Sequence, residues 1–295
     1  MEAAAAVERL WPGRRATVTL LPGGITNRNF RVDVDGESLV LRMAGRDTQE
    51  LGIDRLAEHE ASVRAAAAGI GPEVIRFAAA EGWLVTRFIA GRPIPPEEMR
   101  QRGVIARVAG ALRDVHAGGP VRGTFDAHGI VDRYARLAES RGGSLPGGFG
   151  DAQALSGRIR EARGPQPRVL CHNDLLNGNF LDDGRVRIID WEYAGMGDRF
   201  FDLGNLSVNH GFSVAEDRLL LAAYFGELRP ADLAALRLMR FMSDFREAMW
   251  GVVQGAISEL DFDFGGYAAE HFERLGRTAS EPEFAGYLAI VRARL

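Results

Sequence analysis

The segment His172-Asn173-Asp174-Leu175-Leu176-Asn177-Gly178-Asn179 constrains this chain more than any other stretch. An aspartate followed five positions later by an asparagine, with no other charge between them, offers a carboxylate and a carboxamide from one short loop. Asp174 can take the proton of an attacking hydroxyl, and Asn179 can turn its side-chain carbonyl oxygen toward a divalent cation. Eleven residues after Asn179 stands Ile188-Ile189-Asp190-Trp191-Glu192. Between them, Phe180-Leu181 and Val186 to Ile189 read as a β-hairpin turning at Asp182-Asp183-Gly184. Such a hairpin returns Asp190 to the side of Asn179. A carboxylate at the end of a buried strand is costly unless a cation or hydrogen-bond donors face it. Asn179 and Asp190 are therefore the expected ligands of an oxygen-only Mg²⁺ site. Glu192 either supports a second ion or is a structural carboxylate.

The spacing H-x-D-x-x-x-x-N is that of a phosphoryl-transfer catalytic loop. His172 is expected to orient the loop backbone rather than act as a base. Upstream, Gly23-Gly24-Ile25-Thr26-Asn27 lies between two β runs, where glycines let backbone N–H groups approach phosphates closely. Leu39-Val40-Leu41-Arg42-Met43 is a strand carrying a cation. The 36 basic residues are all arginine, so any side-chain cation that holds phosphate here is an arginine. The lack of lysine also excludes Schiff-base chemistry and the P-loop lysine. Arg42 can fork onto phosphate and onto a carboxylate from the helix expected over Asp54 to Ala68. Helical spacing favours Glu60 as that partner, because it shares a face with Leu56, Val63 and Ala67.

A net charge of −4 argues against nucleic acid or a membrane surface as partner. The single cysteine, Cys171, excludes an intramolecular disulfide. No uncharged apolar run of membrane-spanning length occurs, and the first residues lack the features of a signal peptide. A cytoplasmic protein is expected. Strands are expected at Ala16 to Leu21, Phe30 to Val34, Ser38 to Met43, Val74 to Phe77 and Trp83 to Phe88. Gly91-Arg92-Pro93 marks a hinge, which divides the chain into residues 1–90 and 91–295. After it the spacing predicts helices over Glu97 to His116, Asp132 to Glu139, Asp151 to Ala162, 214–226, 231–259, 266–276 and 281–294, the last with Ser280 and Glu283 as a capping box. Cys171 reads as a small buried hydrophobe, and His116 as a satisfied core or helix-end histidine.

These motifs together resemble the choline/ethanolamine kinase family, within the aminoglycoside-phosphotransferase and protein-kinase-like superfamily. The resemblance runs from about Leu21 to about Leu275 and rests on six stretches. They are Gly-Gly-Ile-Thr-Asn at 23–27, Leu-Arg with Gly45 at 41–45, and Ile-Asp-Arg-x-x-Glu at 53–58. His-Asn-Asp-x-x-x-x-Asn follows at 172–179, Ile-Asp-Trp-Glu-Tyr-Ala-Gly at 189–195, and Phe-Asp-Leu-Gly-Asn at 201–205. It implies an α+β bilobal fold, with a small β-rich lobe holding one main helix and a larger, mostly helical lobe. The family spacing points to Glu58, rather than Glu60, as the partner of Arg42.

The resemblance also implies ATP and Mg²⁺, with adenine bonded to the backbone at Arg87, Phe88 and Ile89. It implies phosphates held by Gly23, Gly24, Thr26, Asn27 and Arg42, and Asp202 bonded to the catalytic loop. Met249-Trp250, Gln254, Ser258, Asp261-Phe262 and Tyr267 are similar to the family's choline-binding helix and its sequel. Trp250 and Tyr267 match positions of an aromatic cage that holds a quaternary ammonium by cation–π attraction. Where the family often has a second tryptophan, this chain has Glu247. Choline is therefore the first expected acceptor. Ethanolamine, an aminoglycoside and thiamine are alternatives, and a regulatory pseudokinase is a further one. A homodimer is left open.

Overall fold

A computed structural model describes residues 2–22, 27–45 and 48–293. A helix, α1 (Glu2–Leu10), precedes three strands: β1 (Ala16–Leu21), β2 (Asn27–Val34) and β3 (Glu37–Ala44). Then come α2 (Arg55–Ala67), β4 (Val74–Ala78) and β5 (Trp83–Arg87). The five strands form one antiparallel sheet in the order β1-β2-β3-β5-β4. In β2, Phe30, Val32 and Val34 alternate inward with polar residues, which is the two-residue period of a half-buried strand. They meet Leu39, Leu41 and Val85, and α1 covers them with Ala6, Val7 and Leu10. Asp35 and Gly36, both at positive φ, make the β2–β3 turn. Asp54 caps α2 by accepting the N–H groups of Leu56 and Ala57.

Arg92–Pro93 forms a short strand, β6, that pairs with Leu181 and Asp182. The segment expected to be a hinge is thus tied to the larger half of the molecule. The helix expected over Glu97 to His116 is broken at Arg100-Gln101 into α3 (Pro96–Met99) and α4 (Arg102–His116). It is followed by α5 (Ala127–Ser140), α6 (Phe149–Arg163), β7 (Arg168–Cys171), β8 (Phe180–Asp182), β9 (Val186–Ile188) and β10 (Gly195–Asp198). The rest is helical: α7 (Arg199–Asn209), α8 (Val214–Phe225), α9 (Pro230–Ile257), α10 (Phe264–Ala279) and α11 (Phe284–Arg292). The central α9 has 28 residues, so it is about 42 Å long. Helices α5, α7, α10 and α11 pack around it, which is why it is buried on nearly every side.

The structure departs from the sequence reading at further elements. α5 begins at Ala127, well before Asp132, because Asp126 caps it through the His128 N–H. α7 and β10 were not expected. α7 carries aromatic, β-branched and asparagine residues with a central glycine, all poor helix formers. The glycine is required by packing: a Cβ on Gly204 would stand 2.7 Å from the Met239 carbonyl carbon of α9. Ser280 and Glu283 do not form a capping box. The Ser280 hydroxyl instead donates to the Gly276 carbonyl at the end of α10, and Glu283 makes no side-chain cap. A capping box does stand at Ser213 and Glu216, at the start of α8.

Candidate active site

The loop after β7 is held from below by one turn of α7. Asp202, fully buried, accepts the backbone N–H of His172 at 2.8 Å and of Asn173 at 2.7 Å. It also faces His116 Nε2 at 3.0 Å. Three residues on, Asn205 accepts the Leu175 N–H at 2.5 Å. His172 donates from Nε2 to the Ile189 carbonyl at 2.9 Å and accepts the Asp174 N–H on Nδ1 at 3.2 Å. Those two partners fix a neutral tautomer, and burial lowers the affinity of the ring for a second proton. His172 therefore joins the loop to the Asp190 segment and is not a base.

Two backbone positions are strained. Asn173 has φ +67° and Asp190 has φ +63°, left-handed values that few residues other than glycine adopt. Asn173 is stabilised there by donating to the Tyr193 carbonyl at 2.9 Å. The short helical turn Asn177–Asn179 then leads into β8. The Asn179 amide nitrogen donates to the Asp174 carbonyl at 2.8 Å, which fixes its side chain. The Asn179 backbone carbonyl accepts the Ile189 N–H at 3.0 Å, setting Asn179 next to Asp190.

These groups line a cleft of about 550 Å³ between the sheet and the helices. Asp174, Asn179, Asp190, Glu192, Arg42, Glu58, Asn27, Trp250 and Tyr267 all reach it, as do Arg87, Phe88 and Ile89. The N–H groups of Arg87 and Phe88 are already bonded to Glu73 and Ser38. Among the described residues only the Ile89 N–H of the three makes no backbone hydrogen bond. Gly23, Gly24 and Thr26 lie outside the described residues.

Arg42 donates to Glu58 at 2.5 Å and to the Gly82 carbonyl at 2.7 Å. Glu60 points away and binds Arg122 at 2.7 Å. Glu192 accepts from Asn27 at 2.8 Å and from Arg55 at 3.2 Å, so its carboxylate bridges the sheet side to the catalytic side. Arg55 also bonds Glu58 at 2.8 Å and Asn27 at 2.9 Å.

The excess of carboxylates shows in their proton affinities. Burial, then Glu192, Asp174 and Glu58, push the Asp190 carboxyl well above the ordinary range. Burial pushes Asp174 up to about 7, against the pull of Arg246 and with Glu247 and Glu192 adding to the rise. Carboxylates crowded in this way, in excess of the neighbouring Arg42, Arg55 and Arg246, are the donor set a hard divalent cation requires.

In the wall of the cleft, Trp250 and Tyr267 meet edge to face at 5.5 Å, and Trp250 Nε1 donates to the Tyr193 hydroxyl at 2.9 Å. The Tyr267 hydroxyl donates to Glu247 at 2.9 Å. The sequence reading gave no role to Tyr193, Arg55 or Arg246. Arg246 had a legible signal: it falls four residues after Met242 and three before Met249, a charge on the apolar face of a buried helix.

Residues 17–239 of the chain match the model of the phosphotransferase enzyme family. A crystal structure of a choline/ethanolamine kinase family protein from Mesorhizobium loti is 37% identical. It superposes with a TM-score of 0.85, covering 99% of this chain and 98% of that one. The chain belongs to the choline/ethanolamine kinase family. Among curated relatives of this family member, mouse ethanolamine kinase 1 is 26% identical over 315 residues, covering 90% of the chain and 84% of the relative. The choline kinase LicA from Streptococcus pneumoniae, at 22% identity, has the same fold. Its TM-score is 0.77, with 94% of this chain and 98% of that one covered. The bilobal α+β fold expected from the motifs is the fold of the family.

Proposed function

We propose that this family member transfers the γ-phosphate of ATP to the hydroxyl of a small amino alcohol, with choline as the first acceptor. The observation that carries the reading is the convergence of Asp174, Asn179 and Asp190 on one cleft that Trp250, Tyr267 and Tyr193 also line. Residues 1–90 act as the phosphate-binding lobe, and residues 91–295 supply the catalytic loop and acceptor pocket. Gly23, Gly24, Thr26, Asn27 and Arg42 hold phosphates, with Glu58 orienting Arg42. Adenine lies against Arg87, Phe88 and Ile89 and takes its hydrogen bond from Ile89.

Asn179 and Asp190 hold Mg²⁺, and Glu192 contributes to its field. When bound, the ion neutralises charge on the phosphate oxygens. Asp174 hydrogen-bonds the acceptor hydroxyl, aims its oxygen at phosphorus and receives its proton as the new P–O bond forms and the bond from the γ-phosphorus to the β,γ-bridging oxygen breaks, with ADP as leaving group. Positioning and electrostatics supply most of the rate, as expected for a loose phosphoryl transition state. Trp250 and Tyr267 offer ring surface to the cationic end, at roughly 0.5–2 kcal/mol per well-placed ring. Glu247 on the same wall favours a second reading, ethanolamine, whose ammonium has N–H donors for a carboxylate.

No described helix is long and apolar enough to cross a membrane. With ATP as donor, a cytoplasmic location accompanies the reading. Its test is kcat/KM for choline and ethanolamine beside an aminoglycoside and thiamine. A preference for either amino alcohol supports it, and turnover of only an aminoglycoside or thiamine contradicts it.

A further inference from the structure

Arg246 is the largest fully buried side chain among the described residues, at 1% exposure, and it sits on α9 among methionines and phenylalanines. A buried guanidinium is costly unless its charge and its five N–H donors are compensated. Here the compensation is partial. Nη1 donates to Glu247 at 2.5 Å and lies 3.5 Å from Asp174 Oδ1. The guanidinium carbon stands 4.2 Å from the centre of the Tyr193 ring. Among the described residues, Nε and Nη2 find no hydrogen-bond acceptor. An interior in which Arg246 and Glu247 were both apolar would need no such compensation, so packing alone does not explain the pair.

Its contacts close a circuit around the end of the cleft. Arg246 stacks on Tyr193, and Tyr193 accepts from Trp250. Trp250 abuts Tyr267, Tyr267 donates to Glu247, and Glu247 returns to Arg246. From that circuit the same nitrogen reaches out to Asp174. With one nitrogen at 2.5 and 3.5 Å from the two carboxylates, they stand within a few ångströms of each other. A substrate that touches both must be short.

We propose that Arg246 is a specificity-determining positioning residue. By holding Asp174 and Glu247 on a single guanidinium nitrogen, it fixes the spacing between the reacting hydroxyl and the cationic end of the acceptor. It thereby selects amino alcohols with two carbons between oxygen and nitrogen. This rests on the kinase reading above. The planar fork stacked on Tyr193 is what makes the spacing rigid, and lysine, a point charge on a flexible stem, cannot reproduce it.

The test compares kcat/KM for choline with its three-carbon homologue, and for ethanolamine with 3-aminopropanol, in the wild type, Arg246→Lys and Arg246→Met. One methylene in a fitted pocket is worth roughly 10–200-fold in discrimination. The wild type is expected to favour the two-carbon acceptor by at least about tenfold. In both variants that ratio falls toward one, while KM for ATP is unchanged. A structural role alone would lower both acceptors together, so a wild-type ratio in either folded, active variant overturns the proposal. Arg246→Lys keeps the charge and serves if Arg246→Met does not fold. A wild type that phosphorylates none of the four acceptors would overturn the kinase reading and this inference with it. An unchanged ratio overturns this inference alone.

Discussion

The Arg42 guanidinium lies against the Glu58 carboxylate, 2.5 Å from Nη2 to Oε1, with both side chains buried. The same guanidinium donates to the Gly82 carbonyl at 2.7 Å. Lysine at this position can make one of these contacts but not both at once. Arg42→Lys is therefore predicted to lower kcat/KM for ATP by at least about tenfold, equivalent to one lost contact of about 1.4 kcal/mol. It should leave KM for the acceptor close to wild type. Steady-state kinetics with ATP and acceptor varied in turn checks this, and an unchanged ATP dependence contradicts it.

Asp202 gathers three donors on one buried carboxylate: two loop N–H groups and His116. Asp202→Ala leaves these donors without an acceptor in a dry interior. The predicted loss is about 3–5 kcal/mol of folding stability, the scale for breaking a buried charged network. Urea denaturation followed by circular dichroism measures it. A midpoint equal to wild type would mean that the loop is held by other contacts.

His128 bonds the Ser156 hydroxyl at 2.8 Å, and burial lowers its pKa from 6.5 to about 4. Below pH 6.5 the unfolded chain therefore binds a proton at this site that the folded chain refuses. Its contribution to stability is present above 6.5 and is lost as pH falls toward about 4, at about 1.4 kcal/mol for each pH unit. His172 and His210 are shifted in the same direction by burial. Melting temperature should fall between pH 6.5 and 4, and His128→Gln should make that fall shallower. The same slope in the variant would remove His128 as a source.

Among the described residues Asp190 has no ion-pair partner, and burial with three neighbouring carboxylates raises its proton affinity against the weaker pull of Arg42. Asp190→Ala relieves that crowding, so the variant is predicted to fold at least as stably as wild type while losing turnover. Thermal denaturation alongside the kinase assay separates the two effects. Full activity in the purified variant contradicts the metal assignment.

The parts of the site that could be read from the sequence are those in which chemistry demands particular residues at particular spacings. Asp174, Asn179 and Asp190 stand in one short loop–hairpin unit, and local structure alone brings them together. Long-range relationships were less visible. Helical periodicity pointed to Glu60, yet Glu58 faces Arg42, because α2 buries small residues such as Ala61 and Ala65 rather than a large apolar stripe. α7 stayed hidden because its residues are chosen to hold the catalytic loop and to approach α9 closely, against their helix propensity. Arg246 was passed over because a single charge in a methionine-rich stretch acquires its meaning only when Tyr193, some fifty residues earlier in the chain, is folded beneath it.

The central claim is that Asp174 serves an acceptor hydroxyl that takes the γ-phosphate of ATP. Its most direct test incubates purified enzyme with γ-labelled ATP, Mg²⁺ and either choline or ethanolamine, and follows label into the phosphorylated alcohol. Wild type is predicted to yield labelled phosphocholine or phosphoethanolamine, and Asp174→Asn to do so at a rate lower by about 10²–10⁴-fold, the usual contribution of a positioned base. Transfer at the wild-type rate by Asp174→Asn, or no labelled product from either alcohol with wild type, would contradict it.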